Sequence, residues 1–516
     1  YLDALKREVM GNVISGDFEG ALKLCEETIQ DFEVQRYRVN SGFRQSALLS
    51  YVSDFYTWAA FSAFKLKRWD NMLEAIDLIK ARSAIRSRLM PEAPDQLESK
   101  LDSEFDAVNA ALKLVPSDAT LRTKRRQLWD LLSIASPHDV KAAEIPVLTV
   151  SAMQEALAED EALIGYFWLS ASVVLSIQID RDRFHAERIV LKSEASARLK
   201  SFVRFVQQLT KSHLMESRVA QLGSVLLPDF LRDFMATKRR IIFSPHHSLH
   251  LFPFHAVRWD ANDFVGTKFA VRYVPNFSSV LIPSAQRTEN RVLAIGIREF
   301  ADGAGTSLES MEEDAATISN SYRVAGATVE TLLGTDASRD RIEALRHAGL
   351  LQKFRCVHLG THGVSVFETP EEPLESRLLL QDGPLDAMDI ANLHLSAELV
   401  MLSACHSGQR AIELRNLGEV PGDDIFGLQS ALFRSGVRSI VGALWVLAMS
   451  SGSPISRAFH RYYANGELAE VALQLAVKDY LAHASFPFND VYYWAPYFIS
   501  SIGSADKTGG QHPWQS

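Results

Sequence analysis

Two short segments hold the residue types that covalent chemistry needs. One is Val357-His-Leu-Gly-Thr-His362-Gly363, and the other is Leu402-Ser-Ala-Cys405-His-Ser-Gly408. A cysteine attacks as its thiolate, and an imidazole nearby must take its proton and later return one to a leaving group. Each segment follows an apolar run that reads as a buried parallel strand, Phe354 to Leu359 and Glu398 to Leu402. If these strands are neighbours, their carboxyl ends bring His362 and Cys405 to one edge of the sheet, where open α/β sheets bind ligands. Gly363 and the small polar stretch after Cys405 let backbone N–H groups face a pocket, where they would stabilise an oxyanion. The pair points to a cysteine peptidase.

Both segments sit in a chain whose texture changes along its length. Residues 1 to about 135 lack strand signals and are rich in helical periodicity. Gly16-Asp-Phe18-Glu-Gly-Ala-Leu22 and Lys67-Arg-Trp69-Asp-Asn-Met72-Leu73 share one layout, a turn before an aromatic that opens an amphipathic helix. They read as loosely spaced helix-turn-helix repeats of the tetratricopeptide kind, or as a plain helical bundle, with Met72 where a small residue is usual. Stacked helices of either sort present a surface to a partner. Pro116, Pro137 and Pro146 mark the passage out of this region. Strand runs then fall within 162–180, 188–191 and 240–245, with a long helix from Ser193 to Leu209. From 291 onward strands and helices alternate: strands near 291–297, 327–333, 354–360, 376–381, 398–403 and 438–444, helices over 308–322, 338–348, 424–435, 451–464 and 467–483. Such alternation predicts an α/β domain with a mostly parallel sheet.

With 516 residues, two or three domains are expected. Hydrophobic content of 47% and a formal net charge of −9 describe a globular protein and argue against a general nucleic-acid or membrane-surface binder. Cys25, Cys356 and Cys405 are too few for a disulfide framework and fit a reducing compartment, so the expected location is the cytoplasm. No apolar run reaches the roughly 18–20 residues of a membrane span. His246, His247, His250 and His255 lack a carboxylate or cysteine at metal-ligand spacing, so no metal is expected there. Gly303-Ala-Gly305 lacks the lysine of a phosphate loop, and no Gly-x-Ser-x-Gly elbow occurs; no cofactor is expected. His358 falls inside a strand and reads as a core or supporting histidine. His406 is adjacent to the thiol on the same backbone, a poor place for its base.

The ordered set of motifs resembles the CHAT peptidases, a branch of the caspase-like clan with separases, metacaspases and gingipains. The resemblance covers roughly residues 147 to 505. It rests on Ile242-Phe-Ser-Pro245 through Leu251-Phe-Pro-Phe254-His-Ala256, on the His362-Gly363 and Ser403-Ala-Cys405 segments, on Ala431 through Trp445, and on Tyr493-Trp-Ala-Pro-Tyr-Phe498. It implies an α/β caspase-like three-layer sandwich after the α-helical repeat region 1–140, with residues 147–285 as a half without catalytic residues and 286–510 as the active half. It implies His362 as general base, Cys405 as nucleophile, and the Gly363 and Cys405 amides as the oxyanion hole. Trp445 matches a position that lines the cleft in relatives; the sequence leaves cleft and core equally open for it. Metacaspase-like relatives carry an acid two residues before the nucleophile, where this chain has Ser403, and Leu447-Ala-Met449 is also free of acids. A small or apolar P1 residue is therefore expected, unless Asp423 or Asp424 folds back into the pocket from the polar loop Ser407 to Asp424.

The expected function is an endopeptidase that cleaves specific proteins, gated by a protein partner on residues 1–140, with bacterial defence as the implied setting. No direct nucleic-acid or membrane contact is expected. The alternative is a catalytically silent caspase-like adaptor acting through its repeats, which requires the dyad to be misplaced.

Overall fold

The computed structural model describes residues 1–37, 42–80, 96–115, 118–135, 147–207, 215–282, 289–301, 306–364, 376–408, 413–414, 418–419 and 427–503. They form two compact units, residues 1–147 with 419–424 and residues 148–418 with 425–516.

The first unit is helical, with Leu2–Ser15, Phe18–Tyr37, Gly42–Leu66, Trp69–Ile79, Gln96–Leu114 and Ala119–Ala135. Both anticipated turns contain a left-handed residue, Gly16 at φ 84° and Lys67 at φ 57°, just before the aromatic that opens the next helix. Glycine takes that conformation freely, whereas lysine must be held in it by its surroundings. Phe18 then meets Phe61 edge-on at 5.9 Å, and Trp69 meets Phe64 at 6.4 Å. Ala21, Leu22, Cys25 and Ile29 line one buried stripe, and Met72, Leu73, Ile76 and Ile79 another, at the three- and four-residue spacing that buries one helix face. Met72 is wholly buried where a small residue was expected.

The strands, all in the second unit apart from Glu419 of β14, are β1 (Glu161–Ser170), β2 (Val173–Ile179), β3 (Phe184–Val190), β4 (Arg240–Ser244), β5 (Ala270–Tyr273), β6 (Arg291–Gly296), β7 (Thr328–Leu333), β8 (Cys356–Gly360), β9 (Gly363–Val364), β10 (Arg377–Leu380), β11 (Gly383–Asp386), β12 (Leu399–Ser403), β13 (Glu413–Leu414), β14 (Gly418–Glu419), β15 (Ser439–Ala443) and β16 (Tyr497–Ser501). Eleven of these make one sheet in the order β3-β2-β1-β4-β5-β16-β15-β12-β8-β6-β7. From β1 across to β7 the pairs are parallel except β15 with β16, and β2 and β3 add an antiparallel edge. Every residue of β8, β12 and β16 is buried, so both faces of the sheet are covered, as parallel sheets require.

Three elements differ from the sequence expectation. The strand expected at 376–381 does not join the main sheet; as β10 it pairs with β9 and β11 in a separate three-stranded sheet beside His362. β5 and β16 were not anticipated as strands, and they are the two that join the strands before residue 285 to those after it. Both are four or five residues long, and strands so short are selected by their neighbours more than by their own pattern.

The helix Glu309–Val324 packs against β6 and against the helix Met449–Ala464, which packs in turn on Ala469–His483. Its close approach to the carboxyl end of β6 depends on Gly296, where a Cβ would collide with the Met311 carbonyl. Trp445, Trp494, Tyr166 and Tyr322 are among the largest side chains that are fully buried. Among the described residues, no helix is long and apolar enough to cross a membrane.

Candidate active site

β8 and β12 are adjacent and parallel, with Gly360 opposite Ser403. His362 lies two residues beyond Gly360, and Cys405 two residues beyond Ser403. Equal offsets from a paired position put both side chains at the same height above one sheet edge. The chains stay together past the strand ends, where the Thr361 N–H donates to the Ser403 carbonyl at 3.2 Å. Gly363 packs directly on the Cys405 peptide, with its missing Cβ aimed at the Cys405 carbonyl oxygen. Cys405 and His362 are both partly exposed.

The imidazole is gripped from two sides. Its Nε2 lies 2.8 Å from the Thr306 carbonyl oxygen, and its ring rests 5.0 Å from that of Phe300. A carbonyl can only accept, so Nε2 carries the proton and Nδ1 is left as the basic nitrogen. On the other side β10 fastens the backbone: the Leu379 N–H donates to the His362 carbonyl at 3.0 Å, and the Thr361 hydroxyl donates to the Leu379 carbonyl. Thr306 and Phe300 were not singled out in the sequence. They follow β6, whose carboxyl end reaches the same edge, and that placement is the signal that could have found them.

The turn after Cys405 is fastened to the end of β15. His406 takes a left-handed backbone at φ 55°, and its N–H points to the Trp445 carbonyl at 3.5 Å. The Ala443 N–H donates to the Ser407 hydroxyl at 3.1 Å, and the Gly408 N–H to the Ala443 carbonyl at 2.9 Å. The side-chain amide of Gln429 caps the Gly408 carbonyl.

Ser403, two residues before Cys405, is buried, with its hydroxyl 3.2 Å from that of Tyr497 and 3.4 Å from that of Ser456. Burial pushes the Tyr497 phenol up; the bond from Ser403 works against this, and the nearby Asp314 and Cys405 add to it. Asp314 is itself buried, which raises its carboxyl, while bonds from Ser453 at 2.5 Å and Arg457 at 2.5 Å pull the other way. Trp445 is fully buried and donates its indole N–H to the Tyr492 carbonyl at 2.9 Å. Its ring belongs to the core, and its backbone and indole N–H support the residues around the thiol. Asp423 and Asp424 lie outside the described residues, as do Gly303 and Gly305 and most of the loop between Ser407 and Asp424.

His358 is fully buried in β8. Its Nδ1 meets His460 Nε2 at 3.1 Å, and His460 Nδ1 meets the Tyr322 hydroxyl at 2.8 Å, which also contacts the Cys356 sulfur at 3.3 Å. Burial lowers His358 to about 3 and raises the Cys356 thiol to about 12, so both stay neutral at physiological pH. A neutral imidazole enclosed in this way supports the strand and cannot serve as the base. The remaining histidines are dispersed: His246 Nδ1 accepts the Trp168 N–H at 3.1 Å, and His255 bridges the Tyr273 hydroxyl and the Ala495 carbonyl. Among the described residues no group of three or more His, Cys, Asp or Glu could hold a metal ion.

The chain is similar to known proteins in family and in fold. A family model described as the CHAT domain matches residues 216–504, more than half of the chain. Two crystal structures of the Saccharomyces cerevisiae separase–securin complex each contain a chain similar to this one, at TM-score 0.50 and 9% and 10% identity. The alignments cover 98% and 97% of this chain and 40% of the separase-complex chain, so this chain spans two fifths of that length. The Arg-specific cysteine proteinase gingipain R aligns at TM-score 0.37 and 10% identity, covering 60% of this chain and 75% of that one. No curated protein sequence matches. At such identities the separase likeness is one of fold. The large mixed sheet with flanking helices is a caspase-like fold, and by the family match the chain belongs to the CHAT family.

Proposed function

We propose that this chain is a cysteine endopeptidase that uses Cys405 and His362 as a dyad. The observation that carries the reading is the placement of both residues two positions beyond the paired Gly360 and Ser403, with Gly363 in contact with the Cys405 peptide. In this mechanism His362 Nδ1 takes the thiol proton, and the sulfur bonds to the scissile carbonyl carbon. The Gly363 and Cys405 amides receive the resulting oxyanion. The imidazolium then gives its proton to the departing amine as the C–N bond breaks. Water, deprotonated by the same imidazole, hydrolyses the thioester and releases the acid and the thiol.

The separase structures hold a protein partner, securin, in complex. By analogy a protein partner on the helical residues 1–140 would gate this chain, and bacterial defence remains the setting the family suggests. The reading also divides the second unit at about residue 285 into a silent half and an active half.

The test is cleavage by the purified protein of candidate partners captured on its Cys405→Ala variant. Cleavage should vanish in Cys405→Ala and in His362→Ala with the thermal transition unchanged. Cleavage retained in either variant refutes the dyad. Iodoacetamide alkylation of Cys405 no faster than in His362→Ala would favour the silent adaptor.

A further inference from the structure

On the side of Cys405 away from His362, a run of aromatic rings leads from the core into solvent. Trp445 links its start to the nucleophile turn, accepting from His406 through its carbonyl and donating to the Tyr492 carbonyl through its indole. Tyr492 therefore stands one tryptophan away from that turn. Its phenol is raised by burial first, then by Tyr493 and by Cys405, which places it within electrostatic reach of the thiol. The Tyr492 ring meets Tyr493 edge-on at 5.2 Å, and Tyr493 meets Phe488 at 5.2 Å. Phe488 is 42% exposed and Phe486 81% exposed.

The loop bearing these phenylalanines is ordered by its own hydrogen bonds. The Tyr480 hydroxyl donates to the Phe488 carbonyl at 2.9 Å, and the Phe488 N–H to the Ser485 carbonyl at 2.7 Å. The Asp490 N–H donates to Pro487 at 3.1 Å, while its carboxylate caps the Tyr492 N–H at 2.8 Å. Two large rings held in water at the end of this aromatic run mark a place where apolar surface can be covered. Because the loop is already ordered, little further ordering opposes binding.

Strand order decides which part of a substrate reaches them. His362 follows β8 on one side of β12, and the aromatic run leads into β16 on the other, beyond β15. An imidazole that protonates the departing amine needs that segment on its own side. The acyl segment, bonded to Cys405, then extends over β15 and β16. Counted from the Tyr492 ring, two ring-to-ring steps of 5.2 Å to Phe488 span about three extended residues, at roughly 3.3–3.6 Å per residue.

We propose that Tyr493, Phe488 and Phe486 form a subsite for a large apolar side chain on the acyl side of the substrate polypeptide, about three residues before the scissile bond. This rests on the peptidase reading. Ser403 and Leu447-Ala-Met449 lead to the expectation of a small or apolar P1 residue; this aromatic ledge of Tyr493, Phe488 and Phe486 adds a requirement further along the substrate.

The test uses tripeptidyl chloromethyl ketones with alanine next to the reactive carbon and phenylalanine, alanine, aspartate or lysine at the third position. The Cys405 thiolate displaces chloride, a C–S bond forms, and the added mass is located on the Cys405 peptide. The intact chain should react with the phenylalanine probe about tenfold faster than with the aspartate probe, the scale of one good apolar contact. Phe486→Ser with Phe488→Ser should bring that ratio close to one. Phe486→Lys should turn the preference from the lysine probe toward the aspartate probe, a gain that misfolding could not produce. Equal rates in the intact chain, or a preference that survives both changes, would overturn the subsite. So would a concentration-dependent dimer lost in Phe486→Lys with probe rates unmoved, since the ledge would then seat a second copy. Failure of the peptidase reading looks different: iodoacetamide would alkylate Cys405 equally fast in the intact chain and in His362→Ala.

Discussion

Gly363 and Cys405 touch backbone to backbone, with the absent side chain of Gly363 aimed at the Cys405 carbonyl oxygen. The contact welds the loop that follows β8 to the loop that follows β12. Two peptides in van der Waals contact thus hold together the loops that carry the imidazole and the thiol.

Gly363→Ala tests this directly. The added methyl must push the two loops apart, and a misplacement of about 1 Å can cost about a hundredfold in rate. The expected result is a fall of one to two orders of magnitude in Cys405-dependent cleavage, with a stability loss of about 1–3 kcal/mol from overpacking. Comparing kcat/KM with the thermal midpoint separates the two effects.

Ser403→Asp is expected to destabilise the protein without creating a basic P1 preference. The new carboxyl would be buried against Tyr497 and Ser456, at a cost of about 3 kcal/mol when ionised. Such a carboxyl titrates above its unfolded value, so its penalty is absent in acid and grows as pH rises through the carboxylate range. The thermal midpoint of the variant, relative to the parent, should therefore be lower at pH 8 than at pH 5.

Trp445→Phe removes an indole N–H that satisfies the Tyr492 carbonyl and leaves a gap among fully buried residues. A cost of about 2–3 kcal/mol is expected from the orphaned carbonyl and the cavity. Because the Trp445 carbonyl also faces the His406 N–H, iodoacetamide alkylation of Cys405 should change as well. Denaturant midpoints and alkylation rates measured on one sample check both.

Buried neutral histidines make the fold sensitive to acid. Burial lowers His255 from 6.5 to about 4 and His358 from 6.5 to about 3, and burial with the neighbouring His358 holds His460 well down. Between pH 6.5 and these values the unfolded chain binds protons that the folded chain refuses, so stability falls as pH drops through that window. His255 alone accounts for a loss on the order of 3 kcal/mol, at about 1.4 kcal/mol per unit of pKa. His255→Gln should flatten the plot of thermal midpoint against pH between 6.5 and 4; an unchanged slope would rule out this source.

Much of the architecture is legible in the chain itself, because its causes are local. The apolar runs at β8 and β12, the alternation of helix and strand after 291, and the turns at Gly16 and Lys67 all follow from patterns within a dozen residues. What could not be read depends on contacts between distant residues. β10 has the composition of a sheet strand, yet it leaves the main sheet to hold His362, because its partners are β9 and β11. β5 and β16 are too short to show a pattern of their own and exist through each other and their flanking strands.

The sequence alone determined which residues could do chemistry here: a histidine-glycine and an alanine-cysteine, each at the end of an apolar run, in an order that resembles the CHAT family. Tertiary structure decided how they meet. Pairing Gly360 with Ser403 joins strands more than forty residues apart and brings His362 and Cys405 to one height. The fold also placed Thr306 on the imidazole, turned Trp445 into the core, and left Phe486 and Phe488 in water. Strand order and burial arise from free energy summed over the whole molecule, and no single segment contains that sum.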